Sequence, residues 1–143
     1  MTGVWLIFAL LSAFTAALVA IFGKIGLQNL DANTATMIRA VIMALFLVGV
    51  ILIQGKFNNI SPILANHKAL MFIVFSGIAG ALSWLFYFRA LQIGPASLVA
   101  PIDKLSLVFV VVLSLLFLGE HLGVYQWLGI CLIVSGAFII VLK

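Results

Sequence analysis

The sequence predicts an all-α integral membrane protein with five transmembrane helices, on three observations. Apolar residues make up 66% of the 143-residue chain, and its mean hydropathy is +1.42. Charged residues account for 7% of it, where a soluble domain carries roughly 25%. The apolar residues gather into five runs, each near the ~20 residues a helix needs to cross a bilayer core. Seven Lys/Arg and three Asp/Glu cannot furnish the surface of a water-soluble protein of this size. A soluble enzyme, a nucleic-acid binder and a disordered tail are therefore excluded. The net charge of +4 comes from cations scattered singly through apolar sequence, which points to membrane topology and a lipid bilayer as partner, with no nucleic acid.

The first span, residues 4–22, contains no charge. Met1-Thr2-Gly3 brings no Lys or Arg, and no small-residue cleavage site closes the run. It is therefore expected to remain in the mature chain rather than leave as a signal peptide. A polar connection with Lys24, Gly26, Gln28, Asn29, Asp31 and Asn33 leads to the second span, residues 34–53, which Asp31 or Asn33 is placed to cap. The longest connection, residues 54–68, holds Ser61-Pro62, read as the N-cap and first position of a short interfacial helix. The third span covers residues 70–91, and a Gly94-Pro95 turn starts the fourth, residues 96–118. Glu120-His121, in the connection 119–123, reads as a helix-end pair before the fifth span, residues 124–142. Connections this short make consecutive helices antiparallel neighbours.

With five spans the termini lie on opposite faces. Lys56 and Lys68 fall on the N-terminal face, while Lys24, Lys143, Arg39 and Arg89 fall on or near the other. The positive-inside rule then puts the N-terminus outside and the C-terminus in the cytoplasm. Trp5, Tyr125 and Trp127 form an aromatic belt at the N-terminal face. The bias is only two cations, so insertion in both orientations stays open.

A charge at a helix centre costs about 2.5–3.5 kcal/mol on the insertion scale, so charges inside spans carry the functional signal. Asp103 and Lys104 lie seven and eight residues into the fourth span, Arg39 lies near the start of the second, and Arg89 near the end of the third. All enter from the C-terminal face. Neighbours on a helix point about 100° apart, so Asp103 is expected to pair across to Arg39 or Arg89 while Lys104 snorkels. Pro101 is expected to kink the fourth helix and free the Ser97 carbonyl. Two readings stay open. One is a structural ion pair among topological cations, and the other is a cation-rich vestibule that touches substrate. Asp103, the one carboxylate inside a span, is also a candidate proton carrier. Trp84, Tyr87 and Leu91 share a helical stripe that either lines a cavity or packs an ordinary helix face.

Gly129 and Gly136, seven apart with Cys131 and Ser135 nearby, form a small-residue face suited to dimer packing. Cys131 is the sole cysteine, so no internal disulfide forms. His67 and His121 belong to no catalytic or metal motif. No enzyme activity, cofactor or metal is expected.

The segments SWLFYFRALQIGPASLVAPIDKLS (83–106) and LFLGEHLGVYQWLGICLIVSG (116–136) resemble the second part of an EamA-type repeat of the drug/metabolite transporter superfamily. FGKIGL (22–27) and ATMIRA (35–40) fit the expected edges of the first two spans. The likeness covers nearly the whole chain and is closest to the small single-repeat bacterial and archaeal members. GICLIVSGA (129–137) is also similar to the last-helix dimer motif of small multidrug resistance proteins. Those proteins use a glutamate in their first helix, and residues 4–22 have no acidic residue, so that mechanism does not carry over. Many ten-helix relatives have a proline in mid-fourth helix, where this chain reads Lys104-Leu105-Ser106-Leu107.

The resemblance implies half of a ten-helix EamA-type transporter. It would work as a homodimer, or a heterodimer with a paralogue, whose halves insert antiparallel and place the path between them. The expected function is transport or export of a small metabolite past Arg39, Arg89, Asp103, Lys104, Trp84 and Tyr87. The surplus of cations points to an anionic or carboxylate-bearing substrate. The alternative is a non-transport membrane subunit, such as a lipid-carrier flippase component or an assembly partner.

Overall fold

The computed structural model describes residues 3–142. Lys143, which the sequence reading counts among the topological cations, lies outside the described residues, as do Met1 and Thr2. The helices are α1 (Val4–Gly26), α2 (Ala32–Ile53), α3 (Ile60–Ala65), α4 (His67–Ile93), α5 (Ala96–Asp103), α6 (Ser106–Leu113) and α7 (Val124–Val141). Among the described residues there is no strand. Five stretches of the described residues are long and apolar enough to cross a membrane: α1, α2, α4, the run Ala96–Leu118 and α7. The chain is an all-α, multi-pass membrane protein. Large apolar side chains such as Phe14, Phe46, Phe75 and Phe109 stand exposed along the spans. Helices satisfy their own backbone, so such a surface suits lipid rather than water.

The helix ends follow from local chemistry. α1 runs four residues past the expected end at residue 22, carrying Gly23 and Lys24 inside the helix. Asn29, in the left-handed region at φ 61°, then turns the chain. Asp31 caps α2, its carboxylate accepting from the Thr34 amide at 2.7 Å and the Thr34 hydroxyl at 2.8 Å. The short helix ahead of the third span begins earlier than Ser61-Pro62 predicted. A tight turn over Phe57–Asn59 runs straight into α3, whose N-cap is Asn59. Pro62 still falls within the first turn, where its missing N–H removes no helical hydrogen bond. The Asn66 side chain accepts from the Ala69 amide at 3.1 Å, starting α4 at His67.

The fourth span is not one helix. α5 contains Pro101 and ends at Asp103, and α6 begins at Ser106. Across the gap the amides of Lys104, Leu105, Leu107 and Val108 each reach the third carbonyl back, at 2.9–3.1 Å. That is the tighter 3₁₀ pattern. A proline alone disturbs the turn before it, at Ser97; this break comes one turn after it, at Lys104. α6 then widens into a π turn over Ser114–Leu118, ended by Gly119 at φ 65°. In that turn the buried Ser114 hydroxyl donates to the Val111 carbonyl at 3.0 Å. The Gln126 side chain accepts from the Gly123 amide at the start of α7.

The chain divides into two compact units. One holds α1 as far as Phe22 together with the described residues from Ile93 onward, and within it α5 and α6 both pack on α7. The other runs Gly23–Gln92. Its buried side chains are Leu27, Ala32, Thr36, Phe88 and Leu91. Those residues join the end of α1, the start of α2 and the last two turns of α4.

Candidate functional site

The Gly23–Gln92 unit is fastened by polar bonds to backbone carbonyls. The Lys24 ammonium donates to the Leu91 carbonyl at 2.5 Å. Carbonyls in the last turn of a helix lack helical partners and carry partial negative charge, so a cation there is favourable. Gln92 donates through its side-chain nitrogen to the Leu30 carbonyl at 2.6 Å, and Arg89 donates to the Gln92 side-chain oxygen at 2.6 Å. In α2 the buried Thr36 hydroxyl donates to the Ala32 carbonyl at 2.7 Å.

Beside these bonds lies an aromatic shelf on α4. The rings of Trp84 and Phe88 stack with centroids 5.4 Å apart and an interplanar angle of 23°. Tyr87 meets Trp84 edge-on at 6.1 Å and Phe88 at 5.9 Å. Gly23 makes the arrangement possible, because a β-carbon there would collide with the Phe88 ring.

Arg39 reaches this shelf from α2. Its guanidinium carbon lies 3.5 Å from the centroid of the Trp84 ring and 4.7 Å from that of Phe88. Its Nε is buried and meets no hydrogen-bond partner among the described residues. Arg39 is seven residues into α2, about 10 Å along the axis at ~1.5 Å per residue. A cation–π contact returns about 0.5–2 kcal/mol, less than the roughly 2.5–3.5 kcal/mol an arginine costs at a span centre. The shelf offsets part of that cost and leaves the charge uncompensated.

The remaining expected site residues have other surroundings. Arg89 is exposed, its side chain held by Gln92. Asp103 was expected to pair with Arg39 or Arg89; within its own unit its carboxylate lies 3.7 Å from the Lys104 ammonium. The helix stops between the two residues, so the constraint that points helical neighbours 100° apart no longer holds. Both side chains stay accessible, 39% for Asp103 and 57% for Lys104. Lys24, read from sequence as a topological charge, ties α1 to α4. Gly129 and Gly136 are half-buried, with open space where a β-carbon would stand, and Cys131 is exposed. Sequence reasoning missed Phe88. Phe88 stands four residues after Trp84, which puts both on one helix face, and that spacing was the available signal. Gly23 is legible as the last of a row of small residues with Ala9, Ala13, Ala16 and Ala20, a face that allows close helix approach, and the structure sets Phe88 against it.

Charges and aromatics inside apolar spans are what a solute path requires and what lipid-facing helices avoid. A model of the EamA-like transporter family matches residues 3–142. The chain belongs to the EamA-like transporter family. This EamA-like chain is 41% identical, over 95% of its own length and 95% of the relative's, to an uncharacterized transporter encoded in the cobO 3' region of a Sinorhizobium species. It is 35% identical to an uncharacterized protein of Methanocaldococcus jannaschii, over 66% of this chain and 69% of that one. No solved structure matches it. The EamA-like chain is thus a multi-pass membrane transporter.

Proposed function

We propose that this transporter moves a small metabolite across the cytoplasmic membrane of a prokaryote as a dimer of five-helix repeats with antiparallel halves. The observation that carries the proposal is Arg39, held over Trp84 inside a membrane span rather than snorkelling to its edge. An arginine kept there by packing is a functional group by default. Arg39, Trp84 and Tyr87 contribute to the solute path. Arg89, which stands at the end of α4, offers charge at its mouth. In the other unit the break at Lys104 is a joint within the fourth span, and Asp103 beside it is the proton carrier. Discontinuous helices are a recurrent transporter device. The chain matches 95% of its Sinorhizobium relative, so chains of this size recur, and a path between inverted repeats then calls for a second copy or a paralogue. The Gly129–Gly136 face of α7, open beyond each glycine, supplies a packing surface for it. The C-terminus lies in the cytoplasm in one of two insertion modes.

The test is flux from purified protein in liposomes loaded with a prokaryotic small-molecule extract, with released solutes identified by mass spectrometry. Solute-selective release that Arg39→Gln abolishes, with helicity intact, is the expected result. Absence of selective release, together with stable co-purification of another membrane subunit, would refute the proposal in favour of a non-transport role. Accessibility of tags at both termini decides the dimer, since one fixed orientation for every copy rules out antiparallel homodimers.

A further inference from the structure

The Arg39 guanidinium brings five N–H donors into the Gly23–Gln92 unit, and among the described residues it makes ring contacts and no ion pair or hydrogen bond. One plane of it is taken by Trp84 at 3.5 Å. Its Nε is sealed among protein atoms, so the edge formed by Nε and one terminal nitrogen is closed to a ligand. The two terminal nitrogens are not among the buried, unpartnered atoms and, having no hydrogen-bond partner among the described residues, keep exposed surface. The nearest carboxylate along the sequence, the α2 N-cap Asp31, is committed to the Thr34 amide and hydroxyl at the helix start. Gln92 and Lys24 on the same unit are spent on the Leu30 and Leu91 carbonyls.

We infer that Arg39 is the receptor for one oxyanion, a carboxylate or phosphate oxygen pair, bound end-on by its two terminal nitrogens above the Trp84–Phe88 shelf. A desolvated cation that the described residues of its own unit leave unpaired draws its counter-charge from elsewhere, and a guanidinium fork matches two coplanar oxygens far better than chloride. Stacking on Trp84 fixes the plane of the fork, so the ligand's orientation is set before it arrives. The inference rests on the transport reading for its biological meaning and names that solute's class. The same chemistry is available from an anionic solute and from a lipid headgroup phosphate.

Trp84 is the reporter. Of the three tryptophans, Trp5 and Trp127 are replaced by Phe, and the full-length protein is placed in nanodiscs. In purely zwitterionic lipid, sodium acetate and inorganic phosphate are titrated against sodium chloride at constant ionic strength. A saturable change in Trp84 emission with acetate or phosphate, absent with chloride, supports the site and a solute as its source. A Trp84 change seen only when phosphatidylglycerol replaces part of the zwitterionic lipid supports the site with lipid as its source. Arg39→Gln is expected to weaken either response about tenfold or more, the loss of a charge-assisted fork. Arg39→Lys, which keeps the charge, is expected to weaken it by less. No response to acetate, phosphate or phosphatidylglycerol, or an equal response in Arg39→Gln, overturns the inference. Liposome flux separates the two claims. Flux lost in Arg39→Gln without a Trp84 response sinks the oxyanion receptor alone, whereas an anion response with flux intact in that variant sinks the solute path alone.

Discussion

Gly23 on α1 stands directly against the ring of Phe88 on α4, leaving no room for a β-carbon. Phe88 is 3% exposed and stacks on Trp84, so a methyl group there must displace the shelf. Gly23→Ala is expected to destabilise the protein by about 1–3 kcal/mol, the usual cost of overpacking. Shortening the ring in Gly23→Ala/Phe88→Leu should return part of that loss. Thermal unfolding in detergent across the double-mutant cycle measures it. Additive losses would mean that the two positions do not meet.

Lys24→Met removes the donor to the Leu91 carbonyl while keeping an apolar stem of similar length. Leu91 is fully buried, so its carbonyl loses a charged partner. A loss of about 1.5–3 kcal/mol is expected, as for hydrogen bonds to charged groups. The same melting assay reads it, and a topology assay should remain unchanged. A flipped orientation with unaltered stability would return Lys24 to the topological role read from sequence.

Asp31 gives the pH dependence a sign. Its carboxyl is held below the ordinary value of 3.8, first by the Thr34 amide, then by the Thr34 hydroxyl, with the Arg89 charge a minor contributor. A carboxylate with a lowered folded-state pKa contributes stability that is fully present above 3.8 and fades as pH falls through its lower folded value. Melting temperature is expected to drop in that acid window, and Asp31→Asn, which can still cap, should flatten the drop. An unchanged acid limb in Asp31→Asn would assign the loss to another group.

The break in the fourth span falls at Lys104, not at Pro101. Pro101→Ala restores an N–H for the Ser97 carbonyl one turn earlier. The amides of Lys104 and Leu105 should therefore exchange with deuterium as fast as before. Asp103→Leu/Lys104→Leu removes the charged pair and is expected to slow them about tenfold, the value of one helical hydrogen bond. Slowing in Pro101→Ala alone would make the proline the cause.

If Asp103 carries a proton, Asp103→Asn abolishes accumulation driven by a pH gradient while solute exchange down its own gradient persists. Accumulation that survives in the variant removes Asp103 from coupling.

Five apolar runs were legible as spans because lipid exposure demands apolar residues all round a helix, a signal that needs no partner. The cap of α2 was legible as Asp31 or Asn33, of which the structure uses Asp31, and Gly94-Pro95 as a helix start, since both signals act within a few residues. The helix ends were less so. Lys24, placed by its charge in the connection after the first span, lies inside α1, where that charge is met by a carbonyl 67 positions away. Arg39, Trp84 and Tyr87 stood out as polar or aromatic groups in apolar spans. Phe88 did not, being one more apolar residue among many.

The chain's order of residues determined the class, the five membrane crossings and which charges would be costly inside them, because hydropathy and capping are properties of short stretches. Tertiary structure alone decided that Arg39 meets Trp84, that Gly23 admits Phe88, and that the fourth span opens at Lys104. Each depends on which faces of distant helices meet, or on whether a local bend is tolerated by the helices around it. Neither is a property of spacing along one strand of sequence. The physical reason is that all helices here are apolar on every side, so amphipathic periodicity, which in soluble proteins reports the buried face, carries no such signal.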